Sequence, residues 1–317
     1  MRRVAIVTGA AGFLGSHLSE HLLDDGWSVV GVDNFMTGRK ENLAQLMGNP
    51  RFSFVRADVR RKVRLPPAEG IFHLASPASP PYYQRFPIET LEVNGFGTSQ
   101  MLSHAHACGA RMVFSSTSEV YGDPEVHPQT EDYWGHVNPV GVRSCYDEGK
   151  RYGEALCMAW LRARETDVRI ARIFNTYGPR MAPDDGRVIS NFFVQGWKGE
   201  PMTIQGTGMQ TRSFCYVSDL VAGLIALFHA DRVDGPVNLG NPGEEMTILS
   251  IAQQIRTLTG GRSEIVHVER GKDDPERRRP DIRKAKRLLG WAPKVPLDKG
   301  LVPTGEYFKL AVGAEKQ

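Results

Sequence analysis

Short apolar runs alternate along this chain with longer stretches whose apolar residues recur every three or four positions. Val4 to Val7, Ser28 to Val32, Phe52 to Val55, the run "IFHLAS" (71–76), the run beginning at Arg111 and Val168 to Ile173 are of the first kind. Their length and continuity predict parallel strands buried on both faces. Between the first two, Leu14, Leu18, Leu22 and Leu23 fall at helical spacing. Further helices are predicted from about 88 to 107 and from 146 to 164, both carrying apolar residues. Strand and helix in alternation predict an α/β fold, a Rossmann-type doubly wound parallel sheet with a smaller C-terminal α/β substrate lobe. No internal repeat or low-complexity segment interrupts the pattern.

Composition narrows the class. The 317 residues are 41% hydrophobic and 24% charged, an ordinary globular balance that suits one large unit or two lobes sharing a cleft. A net charge of +3 is spread along the chain. Its one dense run, "RGKDDPERRRPDIRKAKR", is mixed in sign, so charge points to neither nucleic acid nor a membrane surface. Cys108, Cys145, Cys157 and Cys215 form no CxxC pair and no zinc-ligand spacing, which reads as free thiols in a reducing compartment and no metal site. No segment approaches the ~18 apolar residues of a membrane span. "MRRVAIVTG" enters a strand at once, without room for a signal peptide, so the expected location is cytoplasmic.

The first strand runs into Gly9-Ala10-Ala11-Gly12-Phe13-Leu14-Gly15. Gly9 allows a tight turn, Gly12 lets the backbone approach a pyrophosphate, and Gly15 lets the helix pack close to the strand. The unpaired N–H groups of the helix N-terminus suit phosphate. Asp33 ends the second strand, where its carboxylate can accept both ribose hydroxyls of NAD; Asn34 follows it. A 2′-phosphate would be repelled there, and no arginine directly follows Asp33, although Arg39 and Lys40 are nearby. The cofactor expected is therefore NAD. Asp58, with Val59, is placed for the adenine edge, and Leu74 and Ala75 bring backbone to the cofactor at the end of "IFHLAS".

The strand "RMVFSSTSEVYG" (111–122) breaks into polar residues at Thr117, Ser118 and Glu119, at the carboxyl end where open parallel sheets bind ligands. Some 30 residues on, "RSCYDEGK" puts Tyr146 and Lys150 one helical turn apart on one face. A phenol beside an ammonium is either a proton-transfer device or an exposed i,i+4 pair, and the upstream motifs favour the first.

Glycine turn, Thr117 and YxxxK together resemble the extended short-chain dehydrogenase/reductases that act on nucleotide sugars. "HLASPASPPYY", "STSEVYGDPEVHPQTEDYWGHVNPVG", "RSCYDEGKRYGE", "RIFNTYGPRM", "DDGRVISNF", "GTGMQTRSFCYVSDL" and "VNLGNP" closely resemble the UDP-glucuronate decarboxylase branch of that family, over nearly the whole chain. The resemblance implies that Tyr146 takes the proton of the sugar's 4-hydroxyl while NAD oxidises carbon 4. Thr117 bonds the same hydroxyl. Lys150 and the cationic nicotinamide lower the phenol from its free pKa of about 10, and Lys150 also holds the nicotinamide ribose. Oxidation makes a β-keto acid, which loses carbon dioxide. Carbon 5 then regains a proton and carbon 4 its hydrogen, leaving a UDP-pentose and retained NAD. The related 4,6-dehydratases carry Thr-Asp-Glu where this chain has Ser118, which offers no acidic proton, and 4-epimerases usually lack a carboxylate at the third position. Glu119 is expected near carbon 5, as a proton relay or paired with a nearby base. Arg278 of "ERRRPDI" is aligned with a functional arginine that partners the sugar carboxylate or the water reprotonating carbon 5; Arg277 and Arg279 read as a solvated face.

The same resemblance assigns Asn175, Arg187, Val188, Asn191, Gln205, Gly206 and Arg212 to the nucleotide and Tyr83 and Arg85 to the sugar. It divides the chain into a NAD-binding domain, 1–174 plus about 212–240, and a nucleotide-sugar lobe, 175–211 and 241–317. UDP-glucuronate or a related nucleotide-uronate is the expected substrate, and a homodimer pairing the two long helices is the expected assembly. This chain departs from the family at Glu89 and Glu92, where lysines are expected, and at Val142, where proline is expected. Either acid, if it faced the cleft, would be of the wrong sign for an anionic sugar. The rival readings are a nucleotide-sugar or uronate 4-epimerase and, outside enzymes, a silent NAD-binding sensor.

Overall fold

A computed structural model describes residues 3–271 and 273–314. Residues 1–2 and 315–317, at the ends of the two expected lobes, and Lys272 of the charge run lie outside the described residues.

The chain opens with β1 (Val4–Thr8), α1 (Phe13–Asp24), β2 (Ser28–Asp33), β3 (Phe52–Arg56) and β4 (Gly70–His73). Next come α2 (Pro80–Arg85), α3 (Pro87–Glu92), α4 (Thr98–Cys108), β5 (Arg111–Thr117), α5 (Ser144–Arg164) and β6 (Val168–Ile173). Further on lie β7 (Thr176–Tyr177), α6 (Val188–Lys198), β8 (Met202–Gln205), β9 (Thr211–Ser213), β10 (Cys215–Tyr216) and α7 (Val217–His229). The last part holds β11 (Pro236–Leu239), β12 (Glu245–Thr247), α8 (Ile248–Leu258), β13 (Ile265–Val268), β14 (Arg277–Arg278), α9 (Arg283–Leu289) and α10 (Leu297–Ala314).

Seven strands form one all-parallel sheet in the order β11-β6-β5-β4-β1-β2-β3. The continuous apolar runs are explained by burial on both faces. On one face α1 and α7 close over Ala5, Val7, Val29, Phe72 and Val113; on the other α4 and α5 close over Ile6, Ile71, Met112 and Phe114. Strand order reverses between β1 and β4, and the carboxyl ends of these strands open onto the cleft, as the doubly wound fold requires.

The second lobe is built around α6, α8 and α10, with the parallel pair β8–β13 and the small sheet β12-β9-β14 beside them. Ile282, Ala285 and Trp291, from a stretch assigned by sequence to this lobe, pack instead into the core of the large one. Trp291 Nε1 donates to the Asp219 carbonyl, and Asp219 Oδ2 accepts from the Lys294 and Val295 amides. Those bonds tie the returning helix α7 to the C-terminal segment.

Two departures from the expected helices bear on the site. The helix expected from 88 to 107 is broken by a wider, π-type turn at Val93–Gly97, which holds Gly95 and Gly97. There Asn94 donates to Ser76 Oγ at 3.1 Å and to the Thr90 carbonyl at 2.8 Å. Helix α5 begins two residues before Tyr146 and runs for 21 residues. It lies close to β5 because Gly153 has no side chain: a methyl there would fall 2.4 Å from the Phe114 ring. Overpacking of this kind costs about 1–3 kcal/mol. Gly153→Ala should therefore lower the free energy of unfolding by about that amount, seen in equilibrium urea unfolding as a lower midpoint at an unchanged m value.

Candidate active site

The cleft between the lobes is about 800 Å³ and joins a side pocket running along the ends of β2 and β3. Gly9 takes φ +73°, and a methyl on it would meet the Ala75 amide at 2.9 Å. A methyl on Gly15 would fall 2.0 Å from the Gly9 carbonyl oxygen, so only glycine lets α1 start this close to the strand. Helix α1 begins with no side-chain cap, so its first N–H groups face the cleft unclaimed by a capping residue. Gly9, Gly12, Phe13, Leu14 and Gly15 line this end. Asp33, Asn34, Asp58, Val59, Leu74 and Ala75 line the side pocket. Asp33 Oδ2 accepts from the Ala11 amide at 3.0 Å and Oδ1 from the Phe35 amide at 2.7 Å. These bonds aim the carboxylate while burial pushes its pKa up and the amides pull it back. A glycine-only cradle, an uncapped helix end and an aimed carboxylate fit a dinucleotide.

Past the carboxyl end of β5, Thr117, Ser118, Glu119, Tyr146 and Lys150 line one wall. Tyr146 is buried, with the Tyr83 ring stacked on it at 5.1 Å and 5°. Burial pushes the phenol up, and a hydrogen bond from Thr117 draws it partly back. Lys150 stands one turn further along the same helix. The ammonium donates to the Ser115 carbonyl at 2.7 Å and lies 5.9 Å from the centre of the Tyr146 ring. Lys150 is only 3% exposed, and burial pushes its pKa down to about 7.

Glu119 is gripped by Arg143 and Arg278. Burial alone would raise its carboxyl; the two guanidinium groups outweigh burial and hold it at about 2. It is therefore ionised at neutral pH and has no proton to give. Arg278 is fully buried, bonds Glu119 and donates to the Gly122 carbonyl at 2.7 Å. It does not line the cleft, so it reaches the site through Glu119 rather than by touching the sugar carboxylate. Arg277 is exposed as expected. Arg279 is not simply solvated: it donates to the Pro242 carbonyl at 2.8 Å and sits 3.7 Å from Glu245.

Toward the second lobe, Tyr83, Asn175, Arg187, Val188, Asn191, Gln205 and Arg212 line the cleft. Two expected residues do not. Arg85 lies two positions beyond Tyr83 on the six-residue α2, a separation of roughly 200° around a helix, and its guanidinium stacks 5.3 Å from Phe86 instead. Gly206 sits past the end of β8, in a turn at φ +68° that packs on Arg270. Glu92 is taken up by Arg60 at 2.7 Å, and Arg60 also grips Asp58. Glu89 lines the side pocket, and neither acid lines the main cleft. Val142 lines the cleft and is half exposed.

Sequence reasoning passed over three charged groups. Arg143 stands three residues before Tyr146, a same-face spacing that could have found it. Asp185 holds Arg187 by two bonds of 2.5 and 2.7 Å. Asp274, inside the charge run, takes Arg212 by two bonds of 3.1 Å.

A doubly wound sheet with a glycine cradle and a tyrosine–lysine helix at its carboxyl edge defines a NAD-dependent enzyme of the extended short-chain dehydrogenase/reductase type. The chain belongs to the NAD dependent epimerase/dehydratase family, whose model matches residues 5–240. It is 55% identical over 307 residues to UDP-glucuronic acid decarboxylase 1 of Danio rerio, covering 97% of this chain and 73% of that one. It is 52% identical over 313 residues to UDP-glucuronic acid decarboxylase 6 of Arabidopsis thaliana, covering 98% and 90%. A similar solved structure is UDP-glucuronic acid 4-epimerase from Bacillus cereus in complex with UDP-glucuronic acid and NAD, at 29% identity and TM-score 0.89, covering 97% and 99%.

The Glu119 grip has a pH signature. Its folded pKa lies below the ordinary 4.5, so its stabilisation is complete above about 4.5 and fades as pH falls toward 2. Arg278→Met takes away one of the two cations and should cost about 3 kcal/mol at pH 7. The deficit should narrow below pH 4.5, read by urea unfolding across pH 3.5 to 7; a deficit independent of pH would show that Glu119 is not its source.

Proposed function

We propose that this chain is a NAD-dependent UDP-glucuronate decarboxylase, forming UDP-xylose and carbon dioxide. The observation that carries the reading is the joining of Tyr146, Lys150 and Thr117 to an arginine-held Glu119 in one cleft. It occurs in a chain more than half identical, over nearly its full length, to UDP-glucuronic acid decarboxylases.

The side chains divide the work as follows. Gly9, Gly12, Gly15 and the start of α1 hold the pyrophosphate, Asp33 the ribose, and Asp58 with Val59 the adenine edge. Bound NAD supplies a reversible oxidation at sugar carbon 4 and drops out of the net balance. Tyr146 removes the proton of the 4-hydroxyl, Thr117 bonds the same oxygen, and Lys150 places positive charge beside the phenolate. The 4-keto sugar then carries its carboxylate β to a carbonyl. The bond from carbon 5 to the carboxyl carbon breaks, its electron pair enters the carbonyl system, and carbon dioxide leaves. One proton from water must reach carbon 5. Glu119, kept ionised, orients that water and does not donate the proton itself; Ser118 orients the sugar. Arg278 holds Glu119 in place from behind. Arg187 and Arg212 offer planar donor forks to the diphosphate, with Asn175, Val188, Asn191 and Gln205 around the uridine and Tyr83 against the sugar. We assign 1–174 with 212–240 to the cofactor and 175–211 with 241–317 to the nucleotide sugar, apart from the stretch around Ile282 to Trp291.

The assembly we favour is a homodimer. Ile88 (68% exposed), Phe96 (64%), Tyr152 and Leu91 present one apolar face along α3 to α5, the helices expected to pair. Among the described residues no helix is long and apolar enough to cross a membrane. Four free cysteines suit the reducing, cytoplasmic setting we assign.

Incubation with UDP-glucuronate should release carbon dioxide and yield UDP-xylose by proton NMR. An epimerised uronate without carbon dioxide would establish the 4-epimerase reading instead. Tyr146→Phe should lower kcat by roughly 10³-fold while still binding NAD and the UDP-sugar in calorimetry. Phe96→Glu should shift the sedimentation coefficient from dimer to monomer; a wild-type monomer would refute the assembly.

A further inference from the structure

Behind the wall of the cleft lies a buried polar cluster to which the reaction above gives no part. Its centre is Glu154, one helical turn beyond Lys150 on α5. Glu154 Oε1 accepts from Ser116 Oγ at 2.5 Å and from Arg172 Nε at 2.9 Å, and Oε2 accepts from Arg172 Nη2 at 2.8 Å. Both side chains of the pair are nearly buried. Arg172 is anchored on its far side: Nη1 donates to Tyr121 Oη at 2.9 Å and to the Glu131 carbonyl at 3.1 Å, and the guanidinium lies 4.8 Å from the Tyr121 ring. Tyr121 in turn donates to Asn238 Oδ1 at 2.8 Å. The cluster therefore bolts α5 to the carboxyl ends of β5, β6 and β11 directly under Thr117 and Lys150.

We propose that Glu154 is a positioning residue for catalysis: it fixes the Lys150 turn of α5 against Ser116 and supplies the buried negative charge that the Lys150 ammonium needs. The proposal rests on the assignment of Tyr146 and Lys150 above.

Lys150 is sparsely provided with partners for its charge. Among the described residues its ammonium has one acceptor, the Ser115 carbonyl, and the faces of Phe114 and Tyr146 at 5.0 and 5.9 Å. The titratable groups around it are Tyr146, Glu154 and Cys157 on its own helix, His73 from β4 and, through Glu154, Arg172 from β6. Burial lowers Lys150 most, and Cys157 and Glu154 oppose it. Cys157 is itself pushed up by burial and stays a neutral thiol at neutral pH. Tyr146 is also pushed up by burial. His73 is held at about 3 by burial and by Lys150, so it is neutral. Glu154 is then the anion that opposes burial at Lys150; Glu119, on the same wall, is taken by Arg143 and Arg278, and burial and Glu119 push Asp147 up to about 8. Arg172 has partners of its own besides Glu154, the Tyr121 hydroxyl and the Glu131 carbonyl.

Glu154→Gln keeps the shape and the Ser116 contact, removes the charge and leaves Arg172 uncompensated. Both changes lower the Lys150 pKa, so the ammonium is lost at lower pH. The alkaline limb of kcat should move down by about one unit, and kcat at pH 8 should fall about tenfold with KM changed less than twofold. Glu154→Asp, which retracts the charge by one methylene, should move the limb in the same direction by less. Competitive labelling of the full-length chain with a small acylating reagent, read by peptide mass spectrometry, reports the Lys150 midpoint without turnover. That midpoint should fall in both variants even if the substrate assignment were wrong. A wild type without decarboxylase activity refutes the assigned reaction alone. A folded Glu154→Gln protein with an unmoved Lys150 midpoint refutes the role of Glu154 alone. Should that variant fail to fold, Glu154→Asp is decisive, and an unmoved midpoint there overturns the proposal.

Discussion

How closely one helix approaches one strand decides the geometry of the whole site. Arg143, Tyr146, Lys150 and Glu154 are spaced three, four and four residues apart, so they form one stripe along the start of α5. The stripe meets the end of β5 rung by rung. Arg143 holds Glu119, Tyr146 bonds Thr117, Lys150 reaches the Ser115 carbonyl and Glu154 takes Ser116. Each contact needs the helix within side-chain reach of the strand. Gly153 permits this by leaving its place to Phe114. A helix displaced by an ångström would loosen four contacts together, which makes the stripe a cooperative unit rather than four independent residues.

Dryness gives the stripe its electrical character. Burial works against every charge it encloses, and the outcome at each position depends on the number of partners. Glu119 has two guanidinium groups and stays ionised. Lys150 has one carbonyl and one carboxylate a turn away and sits near the middle of its titration at neutral pH. Asp147, between them in sequence, is pushed by burial and by Glu119 up to about 8. Three neighbouring groups on the same scaffold are thus held at very different proton affinities, and packing alone separates them.

What the sequence made legible was local. Buried strands, the glycine cradle, Asp33 and the tyrosine–lysine spacing depend on residues a few positions apart, and all of these line the cleft or its side pocket as read. What it concealed was direction and distance. Tyr83 and Arg85 are two residues apart, yet a helix sends them to opposite sides. Arg278 and Glu119 are 159 residues apart, and no spacing rule foretells that one lies behind the other. Asp274 was hidden in a run of mixed charge. The interrupted helix was concealed for a different reason: its apolar pattern continues through the π turn, and only Gly95 and Gly97 mark the break. The burial that raises Tyr146 depends on the packing of Tyr83, which no property of residues 143–150 reveals.

The cleft's cations also explain how a site for anions can fold before it binds one. Five arginines line the cavity, and each already has a carboxylate: Arg39 has Glu41, Arg143 has Glu119, Arg180 has Glu20, Arg187 has Asp185 and Arg212 has Asp274. Without those acids, like charges in a low-dielectric space would repel strongly. With them, each guanidinium is held flat and aimed, at the cost of some attraction for an incoming phosphate. An anion entering the cleft must therefore compete with Asp185 and Asp274 for the outer arginine donors. Glu119 is different, because a second arginine behind it keeps it from being displaced. The two kinds of pairing differ: acids that an incoming anion can exchange at Arg187 and Arg212, and a locked one at Glu119.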